Sequence, residues 1–546
     1  MTHALLALAL VACGPAATDA DARLAFQNPG GMWMPRQMSD PPHAAALTSM
    51  GVRVPAADLA NPLADPLAAV ISLGGCTGSF VSPDGLVVTN HHCVQGALQY
   101  NSTPENNLVE NGFLANARAD ELPAGPAQRL SVAQAFTDIT AAMRDGLDAI
   151  PDPIARTREL EARQKAKVAA CEQGRPGVRC DVVSFFRGAE YQLIEYLEIR
   201  DVRLVYVPPR SVGNFGGEID NWAWPRHTGD FSFYRAYVAK DGTVADPSPD
   251  NVPYQPKHFL KVDRDGLRAH DFVMVTGYPG YTRRLNTYDE VRFDIEWGYP
   301  YTIDWLQRRY DLLQAYAEGS LPAPAETKLK AGVARQGTQN GLEKSQGVLA
   351  GLAKGDILER KKAIDDQTRA WAAQPGHEVH AAALAKLDAM NLEKRKTARA
   401  DADWGNLVGG SRLLGAALGF VRLAEERAKP DAERKAGWQE RDLPRRRAAE
   451  KQFARQFDAI LDRATFRLAL RRATELPADE RPWLSAFVVF QPGSTPGAAP
   501  DAAEIDRALD ALYATTRLAD EAVRLDLLDH ATPETLRASD DPFVRL

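Results

Sequence analysis

Apolar and polar positions change rhythm near residue 290. Before it, apolar residues come in short runs separated by turn formers. Residues 78–82 (Gly-Ser-Phe-Val-Ser) and 86–90 (Leu-Val-Val-Thr-Asn) flank Pro83-Asp84-Gly85, which predicts a hairpin. Residues 202–207 and 231–239 read as further strands, the latter followed by the turn Asp241-Gly242. Phe272 to Thr276 reads as another, closed by Gly277-Tyr278-Pro279-Gly280. Many short strands with turn punctuation predict a barrel or sandwich. Residues 132–172, rich in charge, read as an intervening helix.

Beyond residue 290 the period is helical. Ile303, Leu306, Tyr310 and Leu313 share a face, with Gly319 as the stop. Residues 379–398 and 444–474 read as helices, the second opening at Pro444. Arg445-Arg446-Arg447 on that helix reads as a solvated face. The chain therefore divides into an N-terminal leader (1–22), a β-rich region (23–290) and an α-helical region (291–546).

Ala4 to Ala12 is an unbroken apolar run, too short to span a bilayer and fitting the core of a signal peptide. It ends in Leu10-Val11-Ala12-Cys13, which resembles a lipoprotein cleavage site and makes Cys13 the candidate lipidation site. Ala20-Asp21-Ala22 is the alternative cleavage signal. Export is the expectation, to the periplasm or the outer membrane. At the other end, Ser539-Asp540-Asp541 before Pro542 reads as a helix cap with little helix after it, which leads us to expect a sequence cut short.

The 546 residues correspond to three or four domains at about 150 residues each. Hydrophobic residues make up 45%, so sizeable cores are expected. Lysine plus arginine number 65 against 72 aspartate plus glutamate, a net charge of −7, which argues against a nucleic-acid binder. Besides Cys13 there are four cysteines, in the close pairs Cys76–Cys93 and Cys171–Cys180. In an exported chain these spacings point to two disulfides. A metal at His91-His92-Cys93 is the rival, but contiguous residues rarely converge on one ion, and neither a metal nor a cofactor is expected.

Two segments carry chemistry. In the first, Gly75-Cys76-Thr77-Gly78-Ser79-Phe80-Val81-Ser82 precedes Thr89-Asn90-His91-His92-Cys93. A strand ends at a histidine followed at once by cysteine, and a Cys93–Cys76 bridge would pin that end. A general base needs such fixing, and an imidazole titrates near working pH. The segment resembles the histidine segment of chymotrypsin-like serine peptidases, with His92 as the base and His91 as a structural neighbour. The second runs from Gly213 to Asp230, including Asn221-Trp222-Ala223-Trp224-Pro225-Arg226-His227-Thr228-Gly229-Asp230. A triad needs a carboxylate to hold the base histidine, and the order histidine then aspartate matches the chymotrypsin-like order.

Together the two segments resemble the bacterial serine exopeptidases of the dipeptidyl-peptidase 7 and dipeptidyl-peptidase 11 family. The resemblance covers most of residues 23–546 and is strongest in Thr89–Cys93 and Asn221–Asp230; Glu218 stands where the family often has aspartate. It implies His92 as base, Asp230 as its orienting carboxylate, and Asn221, Trp222 and Asn340 as the group holding a substrate's free α-amino end. For Asn340 the rival reading is an ordinary helix cap. The implied fold is α+β, a chymotrypsin-like double β-barrel with a large inserted α-helical domain, the second barrel being largely missing here. The implied partners are oligopeptides with a free N-terminus, and the full-length enzyme is expected to be a homodimer.

The family's nucleophile lies in a segment resembling Gly-Asn-Ser-Gly-Ser-Pro, which does not occur in this sequence. Ser79, Ser411, Ser494 and Cys76 are poor substitutes by position or context. The expectation is a dipeptidyl-peptidase whose 546-residue chain is inactive alone. The alternative is a non-catalytic peptide-binding envelope protein.

Overall fold

A computed structural model describes residues 32–268, 271–280, 283–484 and 500–546; the leader, Cys13 and Ser494 lie outside these residues. The fold is mixed, with one large antiparallel sheet and many helices. Among the described residues the sheet has eleven strands: β1 (Val70–Ser72), β2 (Thr77–Phe80), β3 (Leu86–Thr89), β4 (Phe113–Leu114), β5 (Leu122–Pro123), β6 (Leu130–Asp138), β7 (Val178–Phe185), β8 (Glu190–Ile199), β9 (Asp201–Val207), β10 (Ser232–Val238) and β11 (Val252–Pro253). Their order is β4-β9-β10-β3-β2-β1-β6-β8-β7, with β5 on β9 and β11 on β10.

The β2–β3 hairpin forms where Pro83-Asp84-Gly85 places it. Gly85 has φ +68°, and a Cβ there would sit 2.7 Å from the Tyr254 carbonyl oxygen, so both conformation and space call for glycine. Alternation puts Phe80, Val87, Leu130, Leu204, Tyr234 and Ala236 into one core. The pairing that matters most for the site is β3 with β10: Thr89 lies opposite Ser232, so the residues after β3 and those before β10 meet.

Several expectations need correction. Residues 132–172 are not one helix. Leu130–Asp138 is strand β6, paired with β1 and β8, and the long helix is Pro153–Glu172, capped by Asp152. The alanines of this stretch favour a helix, but partners on both sides and burial of Leu130 and Val132 decide for a strand. Phe272–Thr276 is not a strand, because among the described residues no strand pairs with it; Val275 is 99% exposed. The 444–474 stretch is two helices, Leu443–Gln456 and Ala459–Ala473, because the Asp458 side chain accepts from the Ile460 and Leu461 N–H groups and starts a new helix.

The arginine triplet is not a solvated face either. Arg445 pairs with Glu198, Arg446 lies 3.5 Å from the Trp438 ring centroid, and Arg447 pairs with Asp529. Each arginine ties the helix to another element. The same seam between sheet and helices holds Arg179 with Asp442, and Arg441 donating to Glu172 at 2.9 Å and to the Cys180 carbonyl oxygen at 2.9 Å. Cys171 and Cys180 form a disulfide beside it.

The helices from Tyr288 onward have their own core, centred on Leu407, Leu413, Phe420, Phe466, Leu509 and Phe543. Tyr299–Ala317 ends before Gly319, as its pattern predicts. Asp541, with Pro542 behind it, caps the short helix Pro542–Arg545. Ala325–Lys354 reaches back toward the sheet, and its Val333 packs on the β-core. Among the described residues no single helix is long and apolar enough to cross a membrane.

Candidate active site

The β3–β10 pairing builds the site. His92 begins a short helical turn just after β3, and Asp230 lies two residues before β10. The two are far apart in sequence, yet His92 Nδ1 and Asp230 Oδ2 are 2.9 Å apart. The carboxylate is held further by the His92 backbone N–H, which donates to Oδ1 at 3.1 Å, and by Asn90 Nδ2, which donates to Oδ2 at 3.1 Å. The Cys76–Cys93 disulfide fixes the residue after His92, and its Cα–Cα separation is 6.1 Å. The ring is 43% exposed while the carboxylate is 12% exposed, so Asp230 grips from beneath and leaves the ring edge accessible. With the Nδ1 proton committed to Asp230, Nε2 is left to accept one.

The charges follow from this geometry. The hydrogen bond to Asp230 is the largest influence on His92 and raises its pKa, against a smaller lowering by burial. Burial alone would raise the Asp230 carboxyl, but the hydrogen bond and charge of His92 outweigh it and hold it below its ordinary value. His91 behaves oppositely: it is fully buried, and burial pushes its pKa down. Gln95 Nε2 donates to its Nδ1 at 3.2 Å. The His91 ring packs against Gly213, where a Cβ would lie 2.2 Å from Cδ2. That contact anchors the start of the segment that returns to Asp230.

The same cleft is lined by Gly217, Glu218, Asn221, Arg226 and Gln336. Trp222 Nε1 donates to Asn340 Oδ1 at 2.8 Å, and Asn221 Nδ2 points to the same oxygen at 3.5 Å. Asn340 lies inside the helix Ala325–Lys354, not at its end, so the helix-cap reading does not hold. The structure thus brings His92 to Asp230, and Asn221 and Trp222 to Asn340.

Two residues of the cleft carried no role in the sequence reading. Glu218 is 3% exposed; its Oε2 accepts from Asn221 Nδ2 at 3.0 Å and its Oε1 from Gln336 Nε2 at 3.4 Å. Gln336 precedes Asn340 by one helical turn, and that i, i+4 spacing was the available signal.

The substitute nucleophiles fare poorly. Ser411 is 2% exposed, donates to Asp462 Oδ2 at 2.8 Å and caps the helix Arg412–Arg427. Ser79 pairs within β2 opposite Val70 and Val88. The Cys76 sulfur is bonded to that of Cys93. Atoms of Cys76, His92 and Cys93 lie within 4.8 Å of one another, but disulfide sulfurs are not thiolate ligands for a metal.

The family model "Peptidase S46" matches residues 29–546. The Asp/Glu-specific dipeptidyl-peptidase of Shewanella putrefaciens is 39% identical over 516 residues, covering 94% of this chain and 68% of that protein. The Asp/Glu-specific dipeptidyl-peptidase of Porphyromonas endodontalis is 32% identical over 469 residues, covering 83% and 63%. Dipeptidyl-peptidase 7 of Porphyromonas gingivalis is 34% identical over 337 residues, covering 61% and 46%, so the matched region spans about half to two thirds of these relatives. Among solved structures, that of dipeptidyl-peptidase 11 of Porphyromonas endodontalis with the dipeptide Arg-Glu aligns with TM-score 0.70 at 28% identity, covering 94% of this chain and 72% of that one. The family match over residues 29–546 and the 39% identity to the Shewanella putrefaciens protein show that the chain, with its His92–Asp230 pair, belongs to the Peptidase S46 family.

Proposed function

We propose that this chain supplies the base, its orienting carboxylate and the amino-end pocket of a serine-type dipeptidyl-peptidase that removes dipeptides from the free N-terminus of oligopeptides. The observation that carries the reading is the 2.9 Å His92–Asp230 contact in the cleft that also holds Asn221. In this reading a serine hydroxyl attacks the carbonyl after the second residue, and its proton passes to His92 Nε2. Asp230 keeps the ring in one tautomer and stabilises its charged form. The proton then goes to the leaving amine, and water releases the dipeptide from the acyl-enzyme.

The attacking hydroxyl does not come from Ser79 or Ser411, and the 546-residue chain is expected to bind peptides without cleaving them. A chymotrypsin-like double barrel with the helices as an inserted domain is the architecture this reading entails. Export, for which the two disulfides are support, a lipid anchor at Cys13 and a homodimer of the full-length enzyme belong to the same reading.

A direct test needs no nucleophile. A dipeptidyl chloromethyl ketone with a free amine should alkylate His92 and not His91, as read by peptide mass mapping. The reaction should slow in Asp230→Asn and be blocked by free dipeptide. Equal labelling of both histidines, or labelling indifferent to Asp230, sinks the reading.

A further inference from the structure

Glu218 is a carboxylate taken out of water with no ion-pair contact among the described residues; His92 and Arg226 line the same cleft, and the Glu218 charge raises the His92 pKa from beyond contact distance. It is 3% exposed, and its hydrogen-bond donors are neutral amides, Asn221 Nδ2 at 3.0 Å and Gln336 Nε2 at 3.4 Å. Among the described residues no lysine, arginine or histidine stands within ion-pair distance of it. Buried charges are ordinarily paired, because an ion in a poorly solvated site without a counter-charge costs several kcal/mol. An ionised carboxylate offers about four lone-pair sites, and the amides occupy two.

The amino-end pocket has the opposite deficit. Asn221, Trp222 and Asn340 bring carbonyl oxygens and a ring face, which are dipoles and not a charge. An α-ammonium moved from water into such a pocket loses solvation that neutral oxygens replace in part. Glu218 touches this pocket through Asn221. Because the Asn221 amide nitrogen donates to Glu218, its carbonyl oxygen is the end left for an incoming donor.

Building on the function proposed above, we propose that Glu218 is the counter-charge for the substrate's α-ammonium, held in place by Gln336. The requirement for a free N-terminus then comes from an ion pair completed only when peptide binds. Glu218 positions Asn221 and neutralises the ammonium, while Gln336 ties the carboxylate to the helical half.

The test is calorimetric binding of Ala-Glu and Ala-Leu, each with a free and an acetylated N-terminus, to the 546-residue chain. Wild type should prefer the free amine by tenfold or more. That preference should weaken as pH rises through about 8, where an α-amino group loses its proton. Glu218→Gln should reduce the preference to threefold or less and flatten its pH dependence, while acetylated peptides bind as to wild type. Gln336→Lys, which places an ammonium beside the carboxylate from within, should abolish the preference even if Glu218→Gln does not fold. A preference that survives in either variant overturns the Glu218 assignment and leaves the dipeptidyl-peptidase reading standing. A wild-type chain indifferent to acetylation refutes both.

Discussion

Gly213→Ala tests the contact that anchors the segment leading to Asp230. The new Cβ would sit 2.2 Å from His91 Cδ2, 2.4 Å from Cγ and 2.7 Å from Nε2. Carbon–carbon contacts are best near 3.5 to 4.0 Å, so the overlap exceeds 1 Å on both ring carbons, with Nε2 also pressed. The ring cannot yield easily, being fully buried and bonded to Gln95. Overpacking of this kind costs about 1–3 kcal/mol, and the confinement places it near the upper value. Backbone preference acts the other way. Gly213 is not among the positive-φ glycines and closes a short helix, where alanine should gain about 0.4–1 kcal/mol. The expected net loss is about 2 kcal/mol, with the sign set by the steric term. Urea unfolding of wild type, Gly213→Ala, His91→Ala and the double variant measures it. With the ring removed the alanine should be neutral or slightly stabilising, giving a coupling of about 2 kcal/mol. A Gly213→Ala protein as stable as wild type, or one equally destabilised in the His91→Ala background, refutes the argument.

The adjacent histidines should titrate on opposite sides of 6.5. His92 is raised, chiefly by its hydrogen bond to Asp230, so its stabilising contribution is full below pH 6.5 and fades as pH rises through its folded value. His91 is lowered by burial, so its contribution is present above pH 6.5 and is lost as pH falls toward its folded value. Imidazole NMR titration should show this order, and Asp230→Asn should bring the His92 midpoint down; an unmoved midpoint contradicts the pairing. Removing the Cys76–Cys93 bridge, which closes a 17-residue separation, should cost about 3 kcal/mol in thermal unfolding and slow alkylation of His92; full reactivity in Cys76→Ser/Cys93→Ser would show that the bridge does not position the base. Arg524 is fully buried, donates to Glu450 at 2.8 Å and to the Leu518 carbonyl oxygen at 2.7 Å, and lies 4.1 Å from the Phe453 ring centroid. Arg524→Ala should destabilise the helical half by about 3–5 kcal/mol by denaturant melt, since it leaves Glu450 unpaired; a loss under 1 kcal/mol would count against the pair.

Local signals in the sequence served well where structure is local. Pro83-Asp84-Gly85 marks its hairpin because turn chemistry is confined to a few residues. His92 and Asp230 were legible by resemblance, but their proximity depends on the pairing of Thr89 with Ser232, a long-range fact no local pattern encodes. Strands β7 and β8 escaped notice because they carry Arg179, Glu195 and Glu198, which are polar for a reason: they pair with acids and arginines of the seam or its neighbours. Phe272–Thr276 has strand composition and no strand, since composition cannot supply a hydrogen-bonding neighbour. Glu218 looked like a conservative exchange in a glycine-rich loop, and only its burial between Asn221 and Gln336 reveals a charge to be accounted for.

The helix Ala325–Lys354 gives the cleft two owners. Asn221 and Trp222 belong to the β-rich half, Gln336 and Asn340 to the helical half, and they touch across the boundary. In the function proposed above, a peptide end lodged there would act as a removable cross-link between two halves that have separate main cores. Occupancy at a hundred times Kd adds about 2.7 kcal/mol to the joined state alone. Calorimetry should then show two melting steps drawing together into one as dipeptide is added, so that the heat-capacity trace of the whole molecule reports occupancy of a pocket a few residues wide.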